Sequence, residues 1–291
     1  MSDAEVVAVG FIGLGQIGKP MARRFTDWPG GLTVCDALPA ATRSFAERGV
    51  AVAATPAEVA ERATVISIMV RDDEQVTEVL AGRNGILQTA RPGNVVAVHS
   101  TVEADTPARL AALAAEHEVH LVDAPVSGGS MGAANGTLAI MVGGTDEAVA
   151  IVREPFGALA TLVAHMGPVG AGTRAKLARN LVTFAAYAAV GEASRLAEAA
   201  GVDLALLGEV VRHSDRVTGG PGSIMLRTTA EPLGSEDGLH DVFLHTRGLG
   251  EKDLELAMTL GAEVDVDLPI ARMAIERLGA ALGVPRDVTS K

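Results

Sequence analysis

The sequence predicts an α/β protein in which a doubly wound parallel sheet is followed by a mainly α-helical C-terminal domain joined through a long helix. Three observations carry this reading. Strand-like and helix-like segments alternate from Val6 to about His165, the pattern of repeated strand–helix–strand units that cover both faces of a parallel sheet. A glycine-rich turn joins the first strand to the first helix. After Gly167-Pro168-Val169-Gly170-Ala171-Gly172 the strand signals stop, and an apolar, Ala-rich helical pattern runs from about Thr173 to Ala200, where Gly201 ends it. The expected domains are 1–166 and 167–291.

The first strand is the apolar, largely β-branched run Val6, Val7, Ala8, Val9, Phe11, Ile12, as befits a strand buried on both faces. Ile17, Met21, Phe25 and Trp28 then recur at helical steps and give the next helix one stripe to pack on the sheet. Between them, Gly13, Gly15 and Gly18 have the G-x-G-x-x-G spacing of a Rossmann-type dinucleotide turn. The first permits a tight turn, the second lets the main chain approach a pyrophosphate, and the third lets helix and strand pack closely. Free N–H groups near Gln16 and Ile17, backed by the helix dipole, favour phosphate charge, so Gly13, Leu14, Gly15, Gln16, Ile17 and Gly18 are expected to bind the cofactor.

The second strand, Leu32-Thr33-Val34-Cys35, stops at Asp36, 23 residues beyond Gly13. A carboxylate there accepts hydrogen bonds from the adenosine ribose and repels a 2′-phosphate, and no arginine follows until Arg43. NAD is expected over NADP. A surface loop aspartate is the plain alternative. Further strands are expected at Val50–Ala53, Val65–Val70, Val95–His99, Val119–Val122, Leu138–Val142 and Thr161–His165. Helices are expected at Pro56–Ala63, Asp72–Leu80, Thr106–His117 and Asp146–Leu159, and in the second domain at Leu204–His213, Glu251–Leu260 and Ile270–Leu282, with a loop-rich segment over Ser214–Gly238.

A chain of 291 residues, 48% hydrophobic and 21% charged, is globular and long enough for two cores, while an aromatic share of 3% means that Ala, Val, Leu and Ile build them. A formal charge of −12 opposes binding to nucleic acid or an anionic membrane and favours a small-molecule partner. Cys35, the single cysteine, rules out an intramolecular disulfide and fits a reducing cytoplasm as a small buried hydrophobe. The acidic start Met1-Ser2-Asp3-Ala4-Glu5 lacks the basic region of a signal peptide, and the ten apolar residues from Leu181 to Val190 are too few to span a bilayer. A soluble, cytoplasmic protein is expected.

Asp123-Ala124-Pro125-Val126-Ser127-Gly128-Gly129 follows a strand, at the edge where doubly wound sheets place ligands. The glycine N–H groups and the Ser127 hydroxyl suit a carboxylate, although an ordinary Gly-rich turn serves the local sequence equally well. On the long helix, Lys176 and Asn180 point from one face of an apolar segment. Near an apolar wall the lysine's pKa should fall, which suits proton exchange with a substrate hydroxyl; the alternative is a lysine that reaches out to water.

The motifs G-x-G-x-x-G, D-A-P-V-S-G-G, G-x-G-x-x-x-K-x-x-x-N and K-D-L stand in this order over nearly the whole chain, and the set resembles the β-hydroxyacid dehydrogenase family. The resemblance rests on Gly10 to Met21, Asp123 to Gly129, Gly170 to Asn180 and Lys252-Asp253-Leu254. It implies Lys176 as catalytic acid/base, Asn180 as a substrate hydrogen-bonding residue, and Ser127, Gly128 and Gly129 around the substrate carboxylate. It further implies that Val70 and Arg71 cover the cofactor, that Thr101 lies near the nicotinamide, that Lys252 contacts the cofactor and that Asp253 supports it. The chain departs from the family at Val70-Arg71, where Leu-Pro is frequent, at Arg179-Asn180, where Asn-Asn is frequent, and at His245, where Phe is common. Arg179 and His245 are open to a role in substrate choice or to none.

The implied reaction is hydride transfer between NAD and a short β-hydroxy acid or its semialdehyde, by a homodimer or homotetramer. An imine reductase of the same architecture and a non-catalytic dehydrogenase-like module are the alternatives, and the retained Lys176 argues against both. His117 with His120, and His240, Asp241 and His245, lack the form of a known metal helix, so no metal is expected.

Overall fold

A computed structural model describes residues 7–286; the acidic start Met1 to Glu5, Val6 of the expected first strand and the last five residues of the expected second domain lie outside them. The chain forms two compact units divided between Arg179 and Asn180.

In the first unit the strands are β1 (Val9–Ile12), β2 (Leu32–Cys35), β3 (Ala51–Val52), β4 (Val65–Ile68), β5 (Val95–Val98), β6 (His120–Asp123), β7 (Val126–Ser127), β8 (Leu138–Gly143) and β9 (Ala160–Gly167). They lie in the order β3-β2-β1-β4-β5-β6, after which β8 pairs with β6 and β7 on one side and with β9 on the other. Pairing is parallel from β3 to β6 and between β8 and β9, as the alternation of strands and helices predicts. It is antiparallel where β8 meets β6 and β7, a local exception in the doubly wound sheet. Only the ten residues from 128 to 137 join β7 to β8, fewer than a parallel crossover needs.

The helices are α1 (Gly18–Arg23), α2 (Pro39–Ala46), α3 (Pro56–Ala60), α4 (Asp73–Ala81), α5 (Thr106–Ala115), α6 (Gly129–Asn135), α7 (Asp146–Leu159) and the long α8 (Ala171–Ala199). Side-chain caps start several of them: Asp72 accepts the Gln75 N–H ahead of α4, and Thr145 accepts the Ala148 N–H ahead of α7. Alternation along the strands sends Phe11 to a core with Met21, Phe25 and Phe156 and sends Ile12 to another with Val59, Ile68 and Leu80, so both faces of the sheet are dry. α1 ends earlier than its apolar stripe. Phe25 and Trp28 stay packed because the chain tightens into successive turns after Arg23, and the indole N–H of Trp28 donates to the Val7 carbonyl at 2.7 Å.

The second unit holds α9 (Leu204–Thr218), α10 (His240–Glu263) and α11 (Pro269–Ala281) beside the outer part of α8. α9 outruns its expected end at His213, and α10 starts eleven residues before the expected Glu251, so the loop over 214–238 is shorter than the sequence pattern implies. Gly248 and Gly250 weaken the helical signal in α10. A Cβ at Gly250 would stand 2.7 Å from a Leu278 methyl on α11 and would push that side chain aside. The Glu192 carboxylate of α8, itself buried, receives the Ile270 and Ala271 N–H groups at 2.9 Å each and caps α11. Phe243, Leu282 and Val284 form a small core, while Phe184, Tyr187, Leu206 and Val210 are exposed. Among the described residues no helix is long and apolar enough to cross a membrane.

His99, just after β5, is fully buried between Phe11, stacked at 6.3 Å, and Phe156 at 5.3 Å. Nδ1 lies 2.7 Å from the Ala124 carbonyl, so Nδ1 carries the proton and Nε2 accepts from the Ser67 hydroxyl at 3.1 Å. Burial pushes its pKa down to about 4, partly opposed by the bond to Ala124. Between pH 6.5 and 4 the unfolded chain therefore binds a proton that the folded one refuses. The stability this histidine confers is complete above pH 6.5 and is lost as pH falls to about 4, a difference of about 3 kcal/mol. Denaturant unfolding at a series of pH values should show that slope, and His99→Leu should flatten it across the same window.

Candidate active site

The glycine turn after β1 is built as a cradle. Gly13 has φ +93°, its N–H donates to the Cys35 carbonyl at 3.0 Å, and any Cβ there would strike the Met69 carbonyl. A Cβ on Gly18 would strike the Gly13 carbonyl, so the third glycine sets the approach of helix to turn. At Gly15 a Cβ would meet nothing within 4 Å and would project into open space, which fits a backbone that must meet a phosphate group closely. The turn borders a cleft of about 850 Å³ lined by Gly13, Gly15, Gln16, Ile17, Gly18, Asp36, Val70 and Arg71 among others. These are the expected cofactor residues, apart from Leu14, Thr101 and Lys252. The Leu14 side chain is buried, and its N–H donates to Asp36 Oδ2 at 2.6 Å. Thr101 is exposed beyond the end of β5 and does not line the cleft.

Asp36 is held by its own surroundings, with the Leu38 N–H donating to Oδ1 at 2.7 Å. These two bonds aim the carboxylate and leave lone pairs for a diol. Cys35 beside it is buried, and desolvation, with the Asp36 and Glu58 charges adding to it, pushes the thiol up to about 11, so it stays protonated. Val70 is fixed by Ser100, whose hydroxyl accepts the Val70 N–H at 2.9 Å and donates to the Val70 carbonyl at 2.8 Å. A serine at the end of an apolar strand is the one signal in the sequence for that role, which otherwise leaves no local mark.

The segment from Asp123 to Gly129 and the start of α8 form the second part. Val126 and Ser127 pair with Ile140 and Ala139 of β8. Gly128, at φ +132°, and Gly129, at φ +64°, then turn the chain into α6, where a helix was not expected; the two glycines hide its start. Asp123 has no exposed surface and takes the Gly170 N–H at 2.7 Å and the Thr173 N–H at 2.6 Å, seating the first turn of α8 on the end of β6. Gly143 and Gly172 have no room for a Cβ against Asp123 and Met141, so sheet and helix touch through backbone. A charged residue closing an apolar strand was the signal for this role, since a buried carboxylate needs partners. Lys176 stands one turn further along α8, partly buried, and its Nζ donates to the Val126 carbonyl at 2.7 Å. Burial lowers its pKa and the Arg179 charge lowers it further.

The remaining expected residues lie in the second unit. Asn180 follows Lys176 by one turn of α8. On α10, Lys252 and Asp253 form an exposed ion pair at 2.9 Å, His245 is exposed, and Phe243 two residues earlier fills the small core. Among the described residues no group of three His, Cys, Asp or Glu side chains converges as metal ligands would.

The cradle, the acid after β2 and the lysine at the sheet edge define a dinucleotide-binding oxidoreductase. The family described as the NAD binding domain of 6-phosphogluconate dehydrogenase matches residues 8–167, and that described as NAD-binding of NADP-dependent 3-hydroxyisobutyrate dehydrogenase matches residues 170–289. An uncharacterized oxidoreductase of Mycobacterium tuberculosis is 53% identical over 98% of this chain and 96% of its own length. The mitochondrial 3-hydroxyisobutyrate dehydrogenase of Rattus norvegicus is 33% identical, with 88% of this chain and 76% of the rat protein covered. Among solved structures, Mycobacterium tuberculosis 3-hydroxyisobutyrate dehydrogenase with L-serine superposes with a TM-score of 0.66 at 29% identity, covering 94% of this chain and 93% of that one. An imine reductase from Pseudomonas sp. reaches a TM-score of 0.71 at 20% identity, with 94% and 92% covered, a likeness of fold. The chain belongs to the β-hydroxyacid dehydrogenase family.

Removing the Asp123 carboxylate leaves two buried N–H groups without an acceptor. Asp123→Ala should lower stability by about 2–4 kcal/mol, read as a fall in the denaturant midpoint at unchanged slope.

Proposed function

We propose that this chain is an NAD-dependent dehydrogenase that interconverts a short β-hydroxy acid and its semialdehyde or keto acid. The observation that carries the reading is Lys176, held beside the Val126-Ser127-Gly128-Gly129 turn with a pKa lowered by burial and by Arg179. A depressed pKa enlarges the neutral fraction near neutral pH, and neutral Nζ takes the substrate hydroxyl proton in the oxidative direction. In the reverse direction the ammonium returns it. Ser127, Gly128 and Gly129 receive the carboxylate and Asn180 orients the reacting oxygen, so binding remote from that oxygen sets the alignment. The bound nicotinamide supplies or accepts the hydride. The residues present fit such a group, since Gly15 leaves the cleft open where a side chain would fill it. On the same reading Val70 and Arg71 cover it, Thr101 stands near its reactive end, and Lys252, supported by Asp253, contacts it.

Lys176→Ala should cut kcat about 10²-fold or more while NAD affinity, followed by fluorescence titration, stays near that of the parent protein. Undiminished turnover in that variant would remove the lysine from the mechanism.

Asp36 favours NAD, because its aimed carboxylate accepts ribose hydroxyls and repels a 2′-phosphate. NADH formation over a panel of β-hydroxy acids, starting with 3-hydroxyisobutyrate and repeated with NADP, should show a clear preference for NAD. Preference for NADP would overturn the assignment of Asp36, and rapid reduction of a cyclic imine by NADPH with no hydroxy acid oxidised would move the chain to imine chemistry.

A further inference from the structure

We propose that His99 is a positioning residue for Lys176: it holds the Ala124 carbonyl where β6 ends its pairing with β5 and thereby fixes the Val126 carbonyl to which the lysine donates. The inference rests on the reading of Lys176 as the acid/base.

The ladder between β6 and β5 ends at Ala124. The Ala124 N–H donates to the Val98 carbonyl at 2.8 Å, the last main-chain bond before Pro125. Proline has no N–H to continue the ladder. From Val126 onward the chain is paired with β8 instead. At this splice the Ala124 carbonyl is buried with its residue and away from water, and the His99 Nδ1–H at 2.7 Å satisfies it. The ring is a fixed donor. Phe11 and Phe156 clamp it, and Ser67 holds Nε2 from the neighbouring strand, β4.

One residue, Pro125, separates this anchor from the lysine's acceptor. Pro125 fixes its own φ, and its carbonyl accepts the Met141 N–H at 3.1 Å, so the link from Ala124 to Val126 is short and stiff. Lys176 is thus set from two directions. Asp123 fixes the helix that carries it, and His99 fixes the strand segment that receives its proton donor. A purely structural histidine would fill space among the aromatic rings and leave the lysine indifferent to the Nδ1 donor.

Two substitutions separate these roles because they move bulk and donor in opposite senses. His99→Leu keeps much of the bulk and loses the donor; His99→Asn loses bulk and keeps an N–H near the Nδ1 position. Lys176 is one of four lysines, with Lys19, Lys252 and Lys291, so its acetylation by acetic anhydride relative to exposed Lys252 can be followed by mass spectrometry without any substrate. Turnover is measured in parallel with 3-hydroxyisobutyrate and NAD. His99→Leu should raise Lys176 labelling several-fold and lower kcat about tenfold at unchanged KM for NAD. His99→Asn should keep both near the parent values although it unfolds at lower temperature. Effects that follow stability, with Asn worse than Leu, or Lys176 labelling unchanged in the leucine variant, would overturn the proposal.

Pro125→Ala leaves His99 and its aromatic clamp in place and loosens only the link, and it too should raise Lys176 labelling. Parent-level labelling in that variant counts against the proposal even where a His99 variant fails to fold. If the parent enzyme does not oxidise 3-hydroxyisobutyrate, the choice of substrate fails while the labelling order still decides the role of His99.

Discussion

A carboxylate buried at the start of a long helix governs the part of the first unit that carries Lys176. Asp123 closes β6 and receives two N–H groups from the residues that begin α8. Burying its charge is costly, and the two hydrogen bonds with the helix dipole offset that cost only in this geometry. The start of α8 has one place to sit. Lys176 takes its position, its partial burial and its lowered pKa from that seating, because one turn of helix separates it from Thr173.

The same device recurs at three further points along the carboxyl edge of the sheet. There the ladder stops and main-chain groups are left without partners. Asp36, just after β2, takes the Leu14 and Leu38 N–H groups; Ser100, just after β5, serves both polar groups of Val70 beyond β4; and His99, also after β5, serves the Ala124 carbonyl beyond β6. Each of these side chains completes the backbone and also shapes the ground beside the cleft or the lysine. Structural satisfaction and site geometry are here one set of hydrogen bonds.

This dual use explains what the sequence disclosed. The cradle, Asp36, the alternation of strands and helices and the extent of α7 were legible because each leaves a local mark, a glycine spacing or an apolar period. Lys176 and Ser127 stand out in the sequence as part of a motif set, and the structure brings the Lys176 ammonium to the Val126 carbonyl beside Ser127. α6 was hidden by the glycines that start it, and the beginning of α10 by Gly248 and Gly250, whose helical propensity is low. The antiparallel turn of the sheet at β8 followed from the shortness of a connection whose strand, β7, is two residues long. His99, Ser100 and Asp123 act across 25 to 50 residues of chain, and such bonds have no period to read.

Gly143 and Gly172 bring β8 and the first turn of α8 together main chain to main chain, with 2.9 Å from the Cβ site of one to the amide nitrogen of the other. Side chains between two elements act as a cushion, since a rotamer change absorbs a small displacement. Here no cushion exists. In mechanical terms the joint has very low compliance, and strain applied to the sheet at Met141 or Gly143 reaches the turn below Lys176 undamped. The glycines that let the helix come so close therefore also make the lysine a sensitive gauge of the sheet on which it stands.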